Sequence, residues 1–234
     1  LECEQAKNDL VQNRLERQHY EAGVRRWYFH VKPLDEAQLR NWREYLTREE
    51  TAAYTDKEAH VKKVRALFER CLVPCALYAE FWLRYAAWCH ASNDGAAARA
   101  VLDQALEAEP EHAGLWQARA RVEAHRVADD KAAAVFARVA EVYDRALGPE
   151  STVPVQERGP LWQQYKAVAD DLCGDAAKLL EIARGYAKWR SRADVEAQPL
   201  GPIPAKRKRA APVASEGDAS ADIASSYGAY ASYS

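Results

Sequence analysis

Trp82-x-x-Tyr85-x-x-Trp88, followed after a short break by Ala98-x-x-Val101-Leu102-Asp103-Gln104-Ala105-Leu106, is the stretch that decides the fold. Aromatic side chains three residues apart lie on one helix face. The second segment repeats its apolar residues at helical spacing. Asn93-Asp94-Gly95 between them reads as a turn. The stretch is therefore a helix pair. The same couple recurs on both sides of it. Upstream, Trp42-x-x-Tyr45-x-x-x-Glu49 precedes Val64-x-x-Leu67-Phe68-Glu69-Arg70-Cys71-Leu72. Downstream, Trp116-x-x-Arg119-x-x-x-Glu123 precedes Val139-x-x-Val142-Tyr143-Asp144-Arg145-Ala146-Leu147, and Trp162-x-x-Tyr165 precedes Leu179-Leu180-x-Ile182-Ala183. The leading tryptophans are 40, 34 and 46 residues apart, the period of a helix-pair repeat.

One aromatic face of this size is too large for a single partner helix to cover. It must pack on the second helix of its own pair and on the next pair, which gives a continuous core along an all-α solenoid. Trp42, Tyr45, Phe68, Trp82, Tyr85, Trp116, Tyr143, Trp162 and Tyr165 are accordingly expected in the repeat core. About four pairs plus a leading helix fill residues 1–195. Breaks are expected at Pro33, Pro74, Asn93-Asp94-Gly95, Pro110, Gly148-Pro149 with Pro154, Gly159-Pro160 and Gly174. One helix start is spelled out. Asp35 can accept the orphan N–H of Gln38, Gln38 can reach back to Asp35, and Leu34 can pack on Leu39. The acidic-basic steps Glu69-Arg70 and Asp144-Arg145 read either as polar links between repeats or as solvated pairs. Asp103-Gln104 keeps the acid and loses the base.

The chain has 234 residues, 48% apolar and 29% charged, with 33 Lys+Arg against 35 Asp+Glu. That balance is ordinary for a folded protein and carries no global basic excess. No apolar run approaches the roughly 18–20 residues of a membrane span. There is no Met, so the chain is expected to be a piece of a longer or processed protein, and its first residues do not read as a signal peptide. The five cysteines, an odd number, point to a reducing compartment. Cys71, Cys75 and Cys89-His90 fit no common zinc spacing and read as small buried helix residues.

Chemistry-bearing motifs are missing. There is no Gly-x-Ser-x-Gly, His-Glu-x-x-His, Walker loop or Gly-x-Gly-x-x-Gly. The six histidines are scattered, and Glu49-Glu50 and Asp170-Asp171 read as solvated surface carboxylates. The expectation is a non-enzymatic chain with no cofactor. Arg25-Arg26 beside Trp27-Tyr28-Phe29, and Lys62-Lys63, are the candidates for direct RNA contact.

Beyond residue 195 the character changes. The proline-rich stretch Gln198 to Pro204 cannot continue a helix. The run Lys206-Arg207-Lys208-Arg209 then reads as a nuclear import signal. Of the last 25 residues 14 are Ala or Ser, too little apolar surface to offset ordering, so residues 196–234 are expected to be a disordered tail. Its end carries Tyr227, Tyr230 and Tyr233 at every third position.

The Trp-x-x-Tyr helix followed by a Leu-Phe-Glu-Arg helix resembles the HAT (half-a-TPR) repeat. Three stretches narrow the resemblance. They are Tyr28-Phe29-His30-Val31-Lys32-Pro33-Leu34, Ala37 to Leu46, and Leu67 to Tyr78. Together they are similar to the pre-mRNA-processing factor 39 family. The first is the most specific, because repeat packing alone does not require it. Trp27 stands where the resemblance calls for Pro, and the array after His90 is shorter than the resemblance would give. The resemblance implies a nuclear scaffold associated with proteins of the U1 small nuclear ribonucleoprotein, acting when the 5′ splice site is recognised. It also implies a homodimer or a heterodimer with a paralogue through C-terminal repeats, here within residues 112–191. RNA would be held mainly through protein partners, and no membrane is involved. The alternatives left open are a HAT scaffold of 3′-end processing or ribosome biogenesis, and a direct RNA-binding protein.

Overall fold

The computed structural model describes residues 2–52, 56–125 and 131–196. The described residues form α-helices joined by short connections, with no strand among them. In chain order they are α1 (Glu2–Gly23), α2 (Glu36–Thr51), α3 (Lys57–Cys75), α4 (Ala79–Ala91), α5 (Gly95–Ala108), α6 (Ala113–Ala124), α7 (Ala132–Leu147), α8 (Arg158–Leu172) and α9 (Ala176–Glu196). A single 3-10 turn, Val155–Glu157, leads into α8.

Each helix packs on the next, and α6 also packs on both α4 and α8. The pairs are therefore α2–α3, α4–α5, α6–α7 and α8–α9, the antiparallel helix pairs of an α-solenoid. The tryptophans of the two middle pairs share one duty, which Trp42 and Trp162 do not perform. Trp82 Nε1 donates to the Ala76 carbonyl and Trp116 Nε1 to the Pro110 carbonyl, each at 2.8 Å. Each ring thus ties its helix to the connection six residues upstream.

The start of α2 follows the sequence closely. Asp35 accepts the Gln38 N–H at 2.8 Å, and Leu34 and Leu39 are both buried. Gln38 reaches back to the Asp35 carboxylate at 2.9 Å, and its Oε1 accepts the Arg26 N–H at 2.9 Å. The cap therefore also clamps the segment in front of the helix. Between α4 and α5, Asn93 adopts a φ of 60°, the left-handed conformation that asparagine tolerates best after glycine. Asp94 then caps α5 by accepting the Ala97 N–H at 2.9 Å.

Two expected breaks fall inside helices. Gly159-Pro160 lies in the first turn of α8, where proline forfeits no intrahelical bond. Pro74 lies in the last turn of α3, and the helix ends one residue later. The tail with its Lys206–Arg209 run lies outside the described residues. No described helix is long and apolar enough to cross a membrane.

Candidate interaction surfaces

The repeat aromatics form a lattice built on one register. Tyr143 stacks on Tyr165 with centroids 4.9 Å apart, and Phe68 on Tyr85 at 4.7 Å. In each case an aromatic ring of a second helix meets the tyrosine three places after the next tryptophan. The following acid binds the same tyrosine. Asp144 accepts the Tyr165 hydroxyl at 3.0 Å, and Glu69 accepts that of Tyr85 at 3.4 Å. Where Arg119 replaces the tyrosine, its guanidinium donates to Asp103 at 2.7 Å. Tyr20 and Glu21 of α1 meet Tyr45 in the same way, at 5.1 Å ring to ring and 2.8 Å hydroxyl to carboxylate. The leading helix therefore carries the register of a second helix. Burial, and then Asp144, push the Tyr165 hydroxyl well above the usual phenol range, and burial raises Tyr143 to about 12.

The basic partners of the acid steps also link elements. Arg70 donates to Glu21 at 2.6 Å and lies 5.6 Å over the Trp42 ring. Arg145 lies 5.6 Å over Trp116. Trp42, Tyr45, Phe68, Trp82, Tyr85, Trp116, Tyr143 and Tyr165 are buried, whereas Trp162 is only partly so. Its ring faces the next helix, 6.5 Å from Tyr186.

The surface reading of Glu49 is overturned. Seven places after its tryptophan it is 3% exposed, bound by Arg17 at 2.7 and 3.0 Å and by Arg48. Glu123 holds the same place after Trp116 and is 5% exposed. The residues at that place in the other pairs are Cys89 and Ala169, also buried. This position faces the interior whatever occupies it, so a glutamate there must recruit arginines. Asp170 and Asp171 are exposed, and Glu50 pairs with Arg84 at 2.7 Å.

The segment Val24–Leu34, between α1 and α2, is an arm whose ends, Val24 and Leu34, pack on the core and whose middle apolar residues the core does not use. Trp27 is 73% and Val31 72% exposed, and Tyr28 and Phe29 are each more than half exposed. Yet the backbone is pinned. Leu34 N–H donates to the Tyr78 hydroxyl at 2.7 Å, Arg26 donates to the Lys32 carbonyl at 2.8 Å, and Lys32 N–H donates to His30 Nδ1 at 2.8 Å. Pro33 is exposed, and Leu34 alone of the Tyr28–Leu34 motif is buried. Phe29 borders an open groove of about 570 Å³ with Leu72, Val73, Trp82 and Val101.

The four candidate RNA contacts fall on two elements, the arm and α3. Arg25 pairs with Asp35 at 2.9 Å, and Arg26 is bonded within the arm. Lys62 and Lys63 are exposed on α3. Cys71, Cys75 and Cys89 are buried, and burial raises the Cys89 thiol to about 11 and that of Cys71 further. No group of three or more metal-ligating residues occurs among the described residues. His90 and His125 have ring centroids 5.6 Å apart and line a second open groove, between α4 and α6, with Arg121 and several alanines.

The PRP39 C-terminal HAT repeat family matches residues 15–153. Pre-mRNA-processing factor 39 of Schizosaccharomyces pombe is 52% identical over 75 residues, 32% of this chain and 11% of that protein. The human pre-mRNA-processing factor 39 is 52% identical over 67 residues, 29% of this chain and 9% of its own length. Pre-mRNA-processing factor 39-2 of Arabidopsis thaliana is 53% identical over 66 residues, 28% of this chain and 6% of its own length. The matched stretch is thus about a tenth or less of the length of these relatives. With the arm and the three helix pairs from α2 to α7 inside the matched span, which covers more than half of the sequence, this chain belongs to the PRP39 C-terminal HAT repeat family.

Proposed function

We propose that this chain is a non-catalytic scaffold segment of a nuclear pre-mRNA splicing factor. It associates with proteins of the U1 small nuclear ribonucleoprotein and helps 5′ splice site recognition through protein–protein contacts. The observation that carries this reading is the arm. Trp27, Tyr28, Phe29 and Val31 are exposed on a backbone pinned by Tyr78, Gln38 and Arg26. Aromatic residues already held in place lose little freedom on binding and are the usual anchors of protein interfaces. Folding gives these side chains no employment, and a partner would.

Family membership supports splicing over another RNA machine. RNA is reached mainly through the partner, which suits the internal bonding of Arg25 and Arg26. Dimerisation, with a second copy or a paralogue, through residues 112–191 belongs to the same proposal. Leu180, half exposed on α9, falls in that range. Lys206 to Arg209 would direct nuclear import.

Affinity capture of the tagged chain from nuclear extract tests this reading. The recovered RNA is probed for U1 and the other small nuclear RNAs. U1 RNA with its particle proteins is the expected result. Enrichment of cleavage factors or pre-ribosomal RNA without U1 would reassign the scaffold to another machine.

A further inference from the structure

The last described helix carries a row of unopposed cations. Arg184, Lys188 and Arg192 stand at i, i+4 and i+8 of α9, and all three are exposed. That spacing puts them on one ridge, about 6 Å apart along the axis. No acid occurs from Ile182 to Ala193. Of the acids around that stretch, Glu181 and Asp144 bind Lys178 at 3.3 Å, and Asp194 and Glu196 follow it at the end of α9. None of the three ridge residues has an ion pair or hydrogen bond among the described residues.

Like charges at i and i+4 destabilise a helix. The ridge therefore carries a small repulsion that an external anion would relieve. The opposite side of α9 is fixed in place. Ile182 is buried, Trp189 Nε1 donates to the Val155 carbonyl at 2.8 Å, and Lys166 lies 4.7 Å over Tyr186. The row consequently has a set direction. Ala183, Ala187 and Ser191, also exposed, flank it with short side chains, so a polymer backbone can approach closely. Arg158 adds charge near one end; burial, and then the charge of Arg192, hold it below its ordinary value.

We infer that the Arg184–Lys188–Arg192 ridge of α9 is a docking rail for the phosphate backbone of single-stranded RNA. A second copy of the chain laid symmetrically on this ridge would set like charges against each other. An acidic protein would meet the charge, but the aromatics between Arg184 and Arg192, Tyr186 and Trp189, are turned to Lys166 and Val155 and offer no apolar centre on the ridge. A repeating phosphate chain needs only evenly spaced cations. This inference does not rest on the splicing reading, because its test uses the purified chain alone.

The test is fluorescence anisotropy of a labelled mixed-sequence single-stranded RNA against the full chain, at salt from 50 to 200 mM. The Arg184→Gln/Lys188→Gln/Arg192→Gln variant is compared with an Arg40→Gln/Lys57→Gln control, which neutralises two exposed cations elsewhere. Each lost phosphate contact lowers the log–log salt slope by about 0.7, so the ridge variant should be shallower by about 2. The unaltered chain then loses about 20-fold more affinity than the ridge variant across that salt range. The control should keep the full slope, and the ridge variant should melt no lower than the unaltered chain. An equal slope in ridge variant and unaltered chain, or no RNA binding at 50 mM salt, overturns the inference. Ridge-dependent binding of polyglutamate in preference to RNA would make the site one for an acidic protein, and would overturn it too.

Discussion

Neutralising Glu123 while keeping its shape, with Glu123→Gln, is predicted to loosen the junction of α5, α6 and α7. Its carboxylate takes Arg119 at 2.5 Å, Arg138 at 3.4 Å and Arg99 at 3.9 Å, one arginine from each of the three helices. Removing one partner of a buried pair costs about 3–5 kcal/mol when the other is stranded. Here the stranding is incomplete. The Arg99 and Arg138 side chains are 24% and 25% exposed, and Arg119 keeps Asp103 at 2.7 Å. The loss therefore falls at or below the lower end, about 2–3 kcal/mol. For a chain of this length that corresponds to a melting point lower by about 4–12 °C. Calorimetry at neutral pH reads the shift. Amide hydrogen exchange should show α5, α6 and α7 losing protection before α2 and α4, because repeat stability is set by nearest neighbours. A melting point within about 1 °C of the unaltered chain, with unchanged exchange in α6, would refute the reasoning.

Three further outcomes follow from the same geometry. A methyl group at Gly185 would meet the Trp162 ring at 2.6 Å, whereas one at Gly114 meets only the exposed His112 ring at 2.9 Å. Gly185→Ala should therefore melt lower despite its better helix propensity, while Gly114→Ala should gain up to about 1 kcal/mol, both read by thermal circular dichroism. Asp94 is held below the usual carboxylate range by the Ala97 N–H and then Arg65. Its stabilisation is present at and above the unfolded value near 4 and is lost as pH falls through the lower folded value, so Asp94→Asn should flatten the acid limb of a melting-temperature profile. Finally, in a Cys3→Ser chain, a thiol reagent should modify the partly exposed Cys173 quickly, and Cys71, Cys75 and Cys89 only on unfolding.

The helix pairs were legible because tryptophan and tyrosine three apart can serve only a packed face. The α2 start was legible because Asp35, Gln38, Leu34 and Leu39 are local partners. Gly159-Pro160 misled, since proline in a first turn opens a helix as readily as it breaks one. The interior place seven after the tryptophan could have been read. Glu49 and Glu123 share it in the sequence, but glutamate looks solvated until arginines of its own and of other helices converge on it. Arg48 and Arg119 are local to their glutamates, but Arg17, Arg99 and Arg138 come from other helices, and no local pattern announces them. The register of α1 was hidden for the same reason, because Tyr20-Glu21 gains meaning only once Tyr45 is set beside it. The arm was visible as a motif. Its exposure was not, since an apolar run ahead of a helix reads equally well as a staple into the core.

The central claim, that the arm holds a splicing particle by protein contact, is tested most directly by capture with an altered arm. The unaltered chain and a Trp27→Ser/Phe29→Ser variant are tagged, incubated in nuclear extract and treated with nuclease. Both side chains are exposed, so the fold should be unaffected. The account predicts that U1 particle proteins stay on the unaltered chain after nuclease and are lost from the variant. Equal retention by both, or loss from both once RNA is digested, would contradict it.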